Sequence, residues 1–375
     1  MPFKYKILLK KNNSLYYIIA GEASGDLHGA NLMRAIQKKH PQVSFRGLGG
    51  PLMKERGLVC HTNFNRLAVM GFAEIIKDLR FFMSLKSAVI QDVLKSLPIK
   101  IILIDYPGFN LRIAQKIKSL YSAPIIYYIS PQLWAWKENR IKTIKQNVDS
   151  LIVLFPFEKY WFNKRELNVE YFGHPLIDIY KKTKLKPENP KNTIGLFPGS
   201  RIQEIQRHLP IFINIIKSVL IINPTAQFVV SVSKHAPSAL FGEISKLSSV
   251  LLDNEESFAV FNKVNVGVVA SGTATLECAI SKTPFVVIYK TSFLSWLIAK
   301  TVLSIPFISI VNILANREVV KEFLQYKINV KTIALHINRL LKNSKKTTRA
   351  LNSVVKGLGD GRSYLKTAEH IEGMK

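Results

Sequence analysis

Short, unbroken apolar runs alternate with helical patterns along this chain, and the alternation occurs twice. In the first half the runs are "YYIIA", "IKIILID", "APIIYYIS" and "DSLIVLF". In the second half "TIGLF", "AQFVVSV", "VNVGVVA" and "TPFVVIY" repeat the arrangement. An unbroken apolar run is typical of a parallel strand that is buried on both faces. The sequence therefore predicts an α/β fold built on parallel sheets.

A polar stretch separates the two halves. It reads "KKTKLKPENPKN", residues 181–192, and its two prolines are typical of an interdomain linker. A chain of 375 residues is also too long for one ordinary core. We expect two doubly wound, Rossmann-like domains facing each other across a cleft, residues 1–180 and 181–350, followed by a terminal segment, 351–375. Ligands of such sheets bind beyond the carboxyl ends of the strands.

The formal charge of +28 restricts the partners of the chain. A protein this basic favours polyanions, namely nucleic acid, an anionic membrane surface or phosphorylated substrates, unless the lysines merely solvate its faces. The lysines are scattered, which argues against nucleic acid. Cys60 and Cys278 have no metal-ligand spacing and form no disulfide framework, so a reducing compartment is expected. We expect neither a signal peptide nor a transmembrane helix.

The segment "VVASGTATLECAI", residues 268–280, places polar groups at the start of a predicted helix. Ser271, Gly272 and Thr273 follow a strand, and free N–H groups with the helix dipole make that end an anion site. Glu277 lies one helical turn beyond Thr273, where its carboxylate can accept hydrogen bonds from ribose hydroxyls. The alternative is a capped helix that needs glycine only for a tight turn.

The segment "FPGSRIQEI", residues 197–205, is a second turn of this kind. Gly199 permits a sharp bend, Ser200 can cap the helix and Glu204 can support its first turns. Arg201 lies at the strand–helix junction, and its planar guanidinium suits a diphosphate. The alternative is a solvated arginine.

In the first half Asp105 ends a strand, in "ILIDYPGFN", and Asn110 is the predicted N-cap of the following helix. A partly desolvated carboxylate at this edge can act as a general base towards a hydroxyl. The alternative is an aspartate that stabilises the turn.

Two further loops follow strands of the first half. The loop "GEASGD", residues 21–26, carries acids that would be poor phosphate ligands, but Glu22 and Ser24 can bind sugar hydroxyls or amides. The alternative is that Asp26 caps its helix and Ser24 closes the turn. The loop "SPQLWAWKENR", residues 130–140, offers two tryptophans as a wall for a sugar or an acyl chain, or as a plug in the domain interface.

These features describe a nucleotide-sugar glycosyltransferase of the GT-B type, and longer segments make the resemblance specific. The chain resembles the lipid-A-disaccharide synthase family over nearly its whole length. The segments that carry the resemblance are "AGEASGDLHGANLMRAI", "GLGGPLM", "LAVMGFAEII", "IDYPGFNLRIAQKIK", "ISPQLWAWKENRIKTI", "LFPFEKYWF", "FGHPLID", "FPGSRIQEIQRHLP", "ASGTATLECAISKTPFVVIYK" and "VNILANREVVKEFLQ".

The resemblance implies an inverting transfer from UDP-2,3-diacylglucosamine to 2,3-diacylglucosamine 1-phosphate (lipid X), which releases UDP. Asp105 would be the base for the acceptor 6-hydroxyl, and Arg201 would neutralise the departing diphosphate. Residues 271–273 would bind phosphate and Glu277 the ribose. Asn316 and Arg317 match a polar segment of the family that is expected at the cleft. The histidines form no cluster and the sequence has no Asp-x-Asp pair, so we expect neither a metal nor a cofactor. GT-B chains often pack their terminal helix on the first domain.

Both substrates carry acyl chains, so the resemblance also implies a cytoplasmic enzyme associated peripherally with the inner membrane, with an anionic lipid surface as a partner and a homodimer as a further expectation. The apolar stretches 69–90 and 291–315 are the candidate membrane patches, although 291–315 could equally be buried core. Departures from the family pattern, including Gly108, Leu52 and Ile202, leave acyl-chain preference open. The alternatives are another GT-B UDP-sugar enzyme, such as a lipid-linked N-acetylglucosaminyltransferase or an epimerase, and a basic, non-catalytic membrane-binding protein.

Overall fold

A computed structural model describes residues 12–60, 79–181, 192–233, 236–292, 296 and 306–374. The chain divides into two compact units. Unit one contains Met1–Asp178 and Asp360–Lys375, and unit two contains Ile179–Gly359. Residues 293–295 and 297–305 of the apolar stretch 291–315, and the first ten residues of the stretch 69–90, lie outside the described residues.

The core of unit one is a parallel sheet of seven strands among the described residues, in the order β3-β2-β1-β4-β5-β6-β7. Strands β1 and β4 are neighbours, with Ile18 opposite Ile102. The order of the strands therefore reverses its direction of growth between β1 and β4, which makes this point the topological switch of the sheet. The strands are β1 Asn12–Ala20, β2 Ser44–Leu48, β3 Leu58–Cys60, β4 Pro98–Ile104, β5 Ile125–Tyr128, β6 Ser150–Val153 and β7 Glu170–Tyr171.

Helices cover the sheet of unit one, which explains the unbroken apolar sequence of its strands. Ile101, Leu103, Ile125 and Tyr127 belong to one buried cluster with residues of the helices α3 and α4. The helices are α1 Ala23–Lys39, α2 Pro51–Glu55, α3 Leu79–Ser96, α4 Pro107–Lys118, α5 Arg140–Asn147, α6 Pro156–Asn163 and α7 Pro175–Tyr180. The last two residues of α7 belong to unit two.

A helix from the end of the chain completes unit one. This helix, which we call α15, spans Ser363–Gly373 and packs on α1. Asp178 accepts hydrogen bonds from the first two N–H groups of α15, each at 3.0 Å. At the other end the buried Lys100 ammonium donates to the carbonyls of Ile371, Glu372 and Met374, at 2.5 to 2.9 Å. The sequence set this segment at 351–375, whereas in the structure unit two extends to Gly359.

Unit two repeats the strand order of unit one. Its parallel sheet has six strands among the described residues, in the order β10-β9-β8-β11-β12-β13, so the switch point lies between β8 and β11. The strands are β8 Thr193–Phe197, β9 Gln227–Ser231, β10 Val250–Asp253, β11 Val266–Ala270, β12 Phe285–Tyr289 and β13 Glu322–Leu324. The helices are α8 Ile202–Ile222, α9 Gly242–Ser245, α10 Ser257–Phe261, α11 Thr273–Ile280, α12 Ile310–Ala315, α13 Val330–Lys342 and α14 Lys345–Lys356.

Helix α8 is the one described helix that is long and apolar enough to cross a membrane, by length and composition alone. Its residues Phe212, Ile215 and Ile216 are fully buried in the core cluster of unit two. The core helix of a folded domain passes the same test, because its apolar face packs on a sheet.

Candidate functional site

The switch point of unit one brings two carboxylates together. Glu22 follows β1, and Asp105 follows the neighbouring strand β4. Burial raises the pKa of Asp105 to about 6, and the negative charge of Glu22 adds to the rise. Glu22 itself is exposed at the start of α1 and uses no side-chain atom as a helix cap. A carboxylate with a raised pKa, next to a second acid, is suited to proton abstraction near neutral pH.

The backbone of Asp105 is held in an uncommon conformation. Asp105 and Tyr106 both have left-handed φ angles, of 45° and 50°. The carbonyl oxygen of Asp105 accepts hydrogen bonds from the Tyr127 hydroxyl at 2.6 Å and from the Asn110 amide at 2.7 Å. Such strain persists only where its surroundings enforce it, and it is common at functional sites.

The prediction that Asn110 caps the following helix is wrong. Helix α4 begins earlier, at Pro107, because proline is pre-organised for a first helical position. The Asn110 amide instead reaches back to the carbonyls of Ile104 and Asp105. It thereby fixes the junction between strand and helix that carries the candidate base.

The loop at residues 21–26 has a mixed role. The Tyr106 ring lies over Gly21, where an added Cβ would come within 2.4 Å of the ring. Asp26 is buried and accepts hydrogen bonds from the N–H groups of Gly50, Leu52 and Met53, at 2.9 to 3.0 Å. Asp26 therefore caps α2. The alternative prediction, that Asp26 caps its own helix α1, is wrong in this respect.

The two acids of this loop thus have different environments. The carboxylate of Asp26 is fully engaged with backbone N–H groups, and this holds α2 against α1. Glu22 and Ser24 are both exposed at the start of α1, and Glu22 is close enough for its charge to act on Asp105. Of the polar side chains in this loop, these two have the exposure that contact with a substrate requires.

The tryptophan loop follows β5, the next strand beyond Asp105. The Trp134 indole N–H donates to Glu158 Oε1 at 2.9 Å, and the other carboxylate oxygen accepts from the N–H groups of Leu154 and Phe155. Burial raises the pKa of Glu158 to about 7, although these hydrogen bonds oppose the rise. Trp136 is 38% exposed, whereas Trp134 is half-buried and its ring is in edge contact with Phe157.

The switch point of unit two is chemically different. In the loop after β8, Gly199 has a left-handed φ of 103°, and Arg201 is the N-cap residue of α8. The Arg201 side chain is 81% exposed and lies 3.1 Å from a Glu204 oxygen. The prediction that Ser200 caps this helix is wrong, because the chain turns one residue later and no side chain caps the helix. Ser200 is exposed beside Arg201.

Sequence reasoning missed His208, which fixes the loop that carries Arg201. Its ring is fully buried, with Nδ1 2.7 Å from the Pro198 carbonyl oxygen and Nε2 3.1 Å from the Lys290 backbone N–H. A carbonyl only accepts and an N–H only donates, so His208 is neutral with its proton on Nδ1. Burial lowers its pKa, which favours this form. The ring joins the loops that follow β8 and β12.

The loop after β11 starts with three of the predicted residues. The Ser271 hydroxyl donates to the Ile308 carbonyl at 3.1 Å, so it helps to hold the loop. Gly272 is the N-cap residue of α11, with a φ of 153°, and Thr273 is the first helical residue. Gly272 and Thr273 are both exposed. The Thr275 N–H donates to the Gly272 carbonyl at 3.1 Å. The two N–H groups before it, of Thr273 and Ala274, have no carbonyl of the helix within reach, so they are available to an anion.

Glu277 lies one turn along α11 from Thr273. Its Oε1 accepts a hydrogen bond from the Tyr180 hydroxyl at 3.0 Å, and the Tyr180 ring stacks on Phe258 with centroids 3.6 Å apart. Burial raises the pKa of Glu277, while the hydrogen bond from Tyr180 lowers it and the charge of Glu256 raises it further. Tyr180 thus orients the carboxylate, a partner that sequence reasoning did not find.

Asn316 and Arg317 follow α12 and precede β13, and both are exposed. Within the described residues, no hydrogen bond or ion pair joins either of them to the loops after β8 and β11. Asn312, four residues earlier, is buried and binds Glu322, whose carboxylate also accepts from Ile308 and Ser309. This network shapes the segment that Ser271 contacts.

The described residues contain no group of three or more histidine, cysteine or carboxylate side chains that could hold a metal ion.

Two doubly wound parallel sheets in one chain form the GT-B fold. Solved structures with this fold agree. A UDP-GlcNAc 2-epimerase from Neisseria meningitidis bound to UDP-GlcNAc has a TM-score of 0.62 and 12% identity, covering 96% of this chain and 99% of its own. The calicheamicin glycosyltransferase has a TM-score of 0.61 and 12% identity, covering 96% and 98%.

Sequence similarity identifies the family of the chain more specifically than the fold does. Residues 16–367 match the family model described as lipid-A-disaccharide synthetase. Lipid-A-disaccharide synthase 1 from Legionella pneumophila strain Philadelphia 1 is 36% identical, covering 96% of this chain and 95% of its own length. The lipid-A-disaccharide synthase of Geobacter sulfurreducens is 35% identical, covering 92% and 93%. The chain belongs to the lipid-A-disaccharide synthetase family.

Proposed function

We propose that this chain transfers 2,3-diacylglucosamine from UDP to the 6-hydroxyl of 2,3-diacylglucosamine 1-phosphate. Its family membership makes it a UDP-sugar-dependent glycosyltransferase that forms the lipid A disaccharide. The acyl pattern, the inverting course and the individual residues are the proposed part. The observation that carries the residue assignment is the pair of switch points, acidic in unit one and rich in donors in unit two.

In the proposed reaction the acceptor 6-oxygen attacks the anomeric carbon of the donor, and the bond from that carbon to the diphosphate oxygen breaks. Asp105 takes the proton of the hydroxyl, which its raised pKa favours near pH 7. Glu22 and Ser24 lie in the loop beside it and bind the hydroxyls or amides of the acceptor. Direct displacement of an α-linked UDP gives the β-1,6 linkage.

Unit two supplies the donor site in this proposal. Ser200, residues 271–273 and the free N–H groups of α11 bind the diphosphate, and the Arg201 guanidinium neutralises its charge as it departs. Glu277, oriented by Tyr180, accepts hydrogen bonds from the ribose. Asn316 and Arg317 remain candidates for the donor from the resemblance alone, without a described contact that supports them.

We also propose peripheral association with the cytoplasmic face of the inner membrane. Acylated substrates and a formal charge of +28 support this localisation, because a basic surface is attracted to anionic lipids. Flotation with phosphatidylglycerol vesicles should be strong at low salt and weak at high salt. Equal flotation in both would count against it.

The deciding experiment is a transfer assay with purified protein, the UDP-2,3-diacylglucosamine donor and the 2,3-diacylglucosamine 1-phosphate acceptor. We expect a disaccharide monophosphate, identified by its mass, together with one equivalent of UDP. UDP release only with another lipid-linked acceptor would move the chain to a sister activity. Binding of UDP and of both lipids without turnover would favour a non-catalytic membrane protein.

A further inference from the structure

The tryptophan loop carries a cationic cluster that the roles given above do not use. Trp136 is 38% exposed, the Lys137 ammonium lies 4.5 Å from the centre of its ring, and Arg140 Cζ lies 6.0 Å from it. A cation held against an aromatic face keeps its charge and most of its N–H donors. We call Trp136, Lys137 and Arg140 the tryptophan–cation cluster.

Among the residues that the structure describes, no carboxylate is paired with the cations of this cluster. Within the described residues neither Lys137 nor Arg140 forms an ion pair. The intervening Glu138 is bound to Arg165 at 2.6 Å. Glu158, the acid closest in sequence on the next helix, is buried against Trp134. Two adjacent cations without a carboxylate partner are an attractive site for an anion.

The loop is also built to hold these side chains in place. Leu133 and Ala135 are buried, and Trp134 is fixed by its hydrogen bond to Glu158. Lys137 has a left-handed φ of 57°, a strained conformation for a residue with a side chain. The backbone N–H of Arg140 donates to the Lys137 carbonyl at 3.1 Å, which closes the turn. The buried residues thus anchor the loop, and Trp136 and Lys137 project from it.

The cluster lies next to the candidate base. The loop follows β5, and Asp105 follows the adjacent strand β4. The link is Tyr127, whose hydroxyl donates to the Asp105 carbonyl at 2.6 Å. Burial raises the pKa of Tyr127, with the Asp105 charge adding to the rise and the Arg140 charge opposing it. Both the acid and the arginine are therefore close enough to influence one phenol.

We propose that the tryptophan–cation cluster binds the phosphate monoester of the acceptor sugar, and so selects phosphorylated acceptors. This inference rests on the proposed function, because the acceptor is the substrate activated by Asp105. Arg140 can hold two phosphate oxygens with its planar guanidinium, and Lys137 supplies a second positive charge. Trp136 holds both cations and offers its exposed face to the sugar ring.

The test compares two acceptors, short-chain 2,3-diacylglucosamine 1-phosphate and the same sugar with a free 1-hydroxyl. We expect the wild type to favour the phosphorylated acceptor in kcat/KM. In the double variant Lys137→Gln/Arg140→Gln the acceptor KM should rise about 10- to 100-fold for the phosphorylated sugar only, because charge-assisted hydrogen bonds are lost. The donor KM should not change. Lys142→Gln, which removes one exposed lysine from the same helix as Arg140, is the control for the loss of a nearby positive charge.

An unchanged preference for the phosphorylated acceptor in the double variant would overturn the proposal. Loss of binding to phosphatidylglycerol vesicles with that preference intact would assign the cluster to lipid headgroups instead, which also overturns it. If the wild type makes no disaccharide, calorimetric titration with the short-chain sugar 1-phosphate still decides. If the double variant binds the sugar 1-phosphate more weakly than Lys142→Gln does, the phosphate site is supported even though the proposed reaction has failed. Equal binding by the two variants would refute the phosphate site.

Discussion

The two units share a strand order and differ in the chemistry of their switch points. Between β1 and β4 the chain places Glu22 and Asp105, and between β8 and β11 it places Arg201, hydroxyl groups and free helix N–H groups. Topology therefore decides where a ligand binds, and a few loop residues decide which charge it carries. An acidic switch point suits the removal of a proton from a hydroxyl. A cationic one suits a diphosphate.

The comparison also concerns stability. A carboxylate whose pKa is raised by burial lowers the stability of the folded state, because the folded form binds more protons than the unfolded one between pH 3.8 and about 6. Stability is thus lost as the pH rises through that window. Arg201 is exposed and carries no such cost. The acidic switch point therefore lowers the stability of the fold more than the cationic one does. The left-handed backbone of Asp105 and Tyr106 adds conformational strain at the same place.

The largest effect is expected at the acidic switch point. Asp105→Asn should lower kcat by about 10²- to 10⁴-fold, since general-base catalysis is lost, while the donor KM stays the same. Its thermal stability at pH 7 should equal or exceed that of the wild type, because a desolvated charge has been removed. Steady-state kinetics and calorimetry check both statements. Asp149→Asn, a surface carboxylate bound to Lys118, is the matched control and should keep full kcat. A fully active Asp105→Asn enzyme would show that the acidic switch point does not supply the general base.

The second effect belongs to the cationic switch point. Arg201→Gln should lower kcat by about 10²- to 10³-fold, as the loss of one donor to a developing anion commonly does. The acceptor KM should not change, which distinguishes this variant from changes in unit one. The exposed Lys217 on the same helix provides the control, Lys217→Gln. Equal losses in both variants would show that only the general positive charge of the surface matters.

The sequence predicts the sheets well because the signal is local. A strand buried on both faces must be apolar throughout, so runs such as 99–105 and 266–270 are legible without knowledge of their neighbours. The carboxyl ends of these runs then indicate Asp105 and residues 271–273. Cap residues were predicted less well, at Asn110 and Ser200, because helix starts shift by a residue or more with the turn before them.

The supporting contacts could not be predicted because they join distant parts of the chain. His208 and Lys290 are 82 residues apart, and Tyr180 and Glu277 are 97 residues apart. Neither pair has a spacing pattern, and a histidine within an apolar helix usually indicates no more than a satisfied core residue. The partners become visible only in the folded chain, where helix α7 reaches α11 and the strand order brings the loops after β8 and β12 close to His208.

A third, smaller effect tests how the cationic switch point is held. His208→Leu removes both hydrogen bonds that join the loops after β8 and β12, so kcat/KM for the donor should fall about tenfold. His208→Gln keeps one donor and one acceptor and should stay within about threefold of the wild type. The double variant with Arg201→Gln should lose little beyond Arg201→Gln alone, because both changes affect the same contact.

Fully multiplicative losses in that cycle would show that His208 acts independently of Arg201. Melting temperatures of the two His208 variants provide the control. If His208→Gln and His208→Leu lower kcat/KM equally, the hydrogen bonds of His208 are not the cause. The loss would then come from the changed shape of the side chain.

The smallest expected effect is on the pH dependence of the rate, which tests the interaction between Asp105 and Glu22. The rate should rise with pH through about 6, as Asp105 ionises, and then level off. In Glu22→Gln the negative charge that adds to the pKa of Asp105 is gone, so the rise should move to lower pH by less than about one unit. It should still lie above the ordinary range of aspartate, because burial is the larger cause of the shift. Profiles of kcat at saturating acceptor separate this effect from weaker substrate binding. A midpoint that stays in place would mean that the two carboxylates do not interact, and a midpoint that moves upward would mean that Asp105 is not the group that titrates.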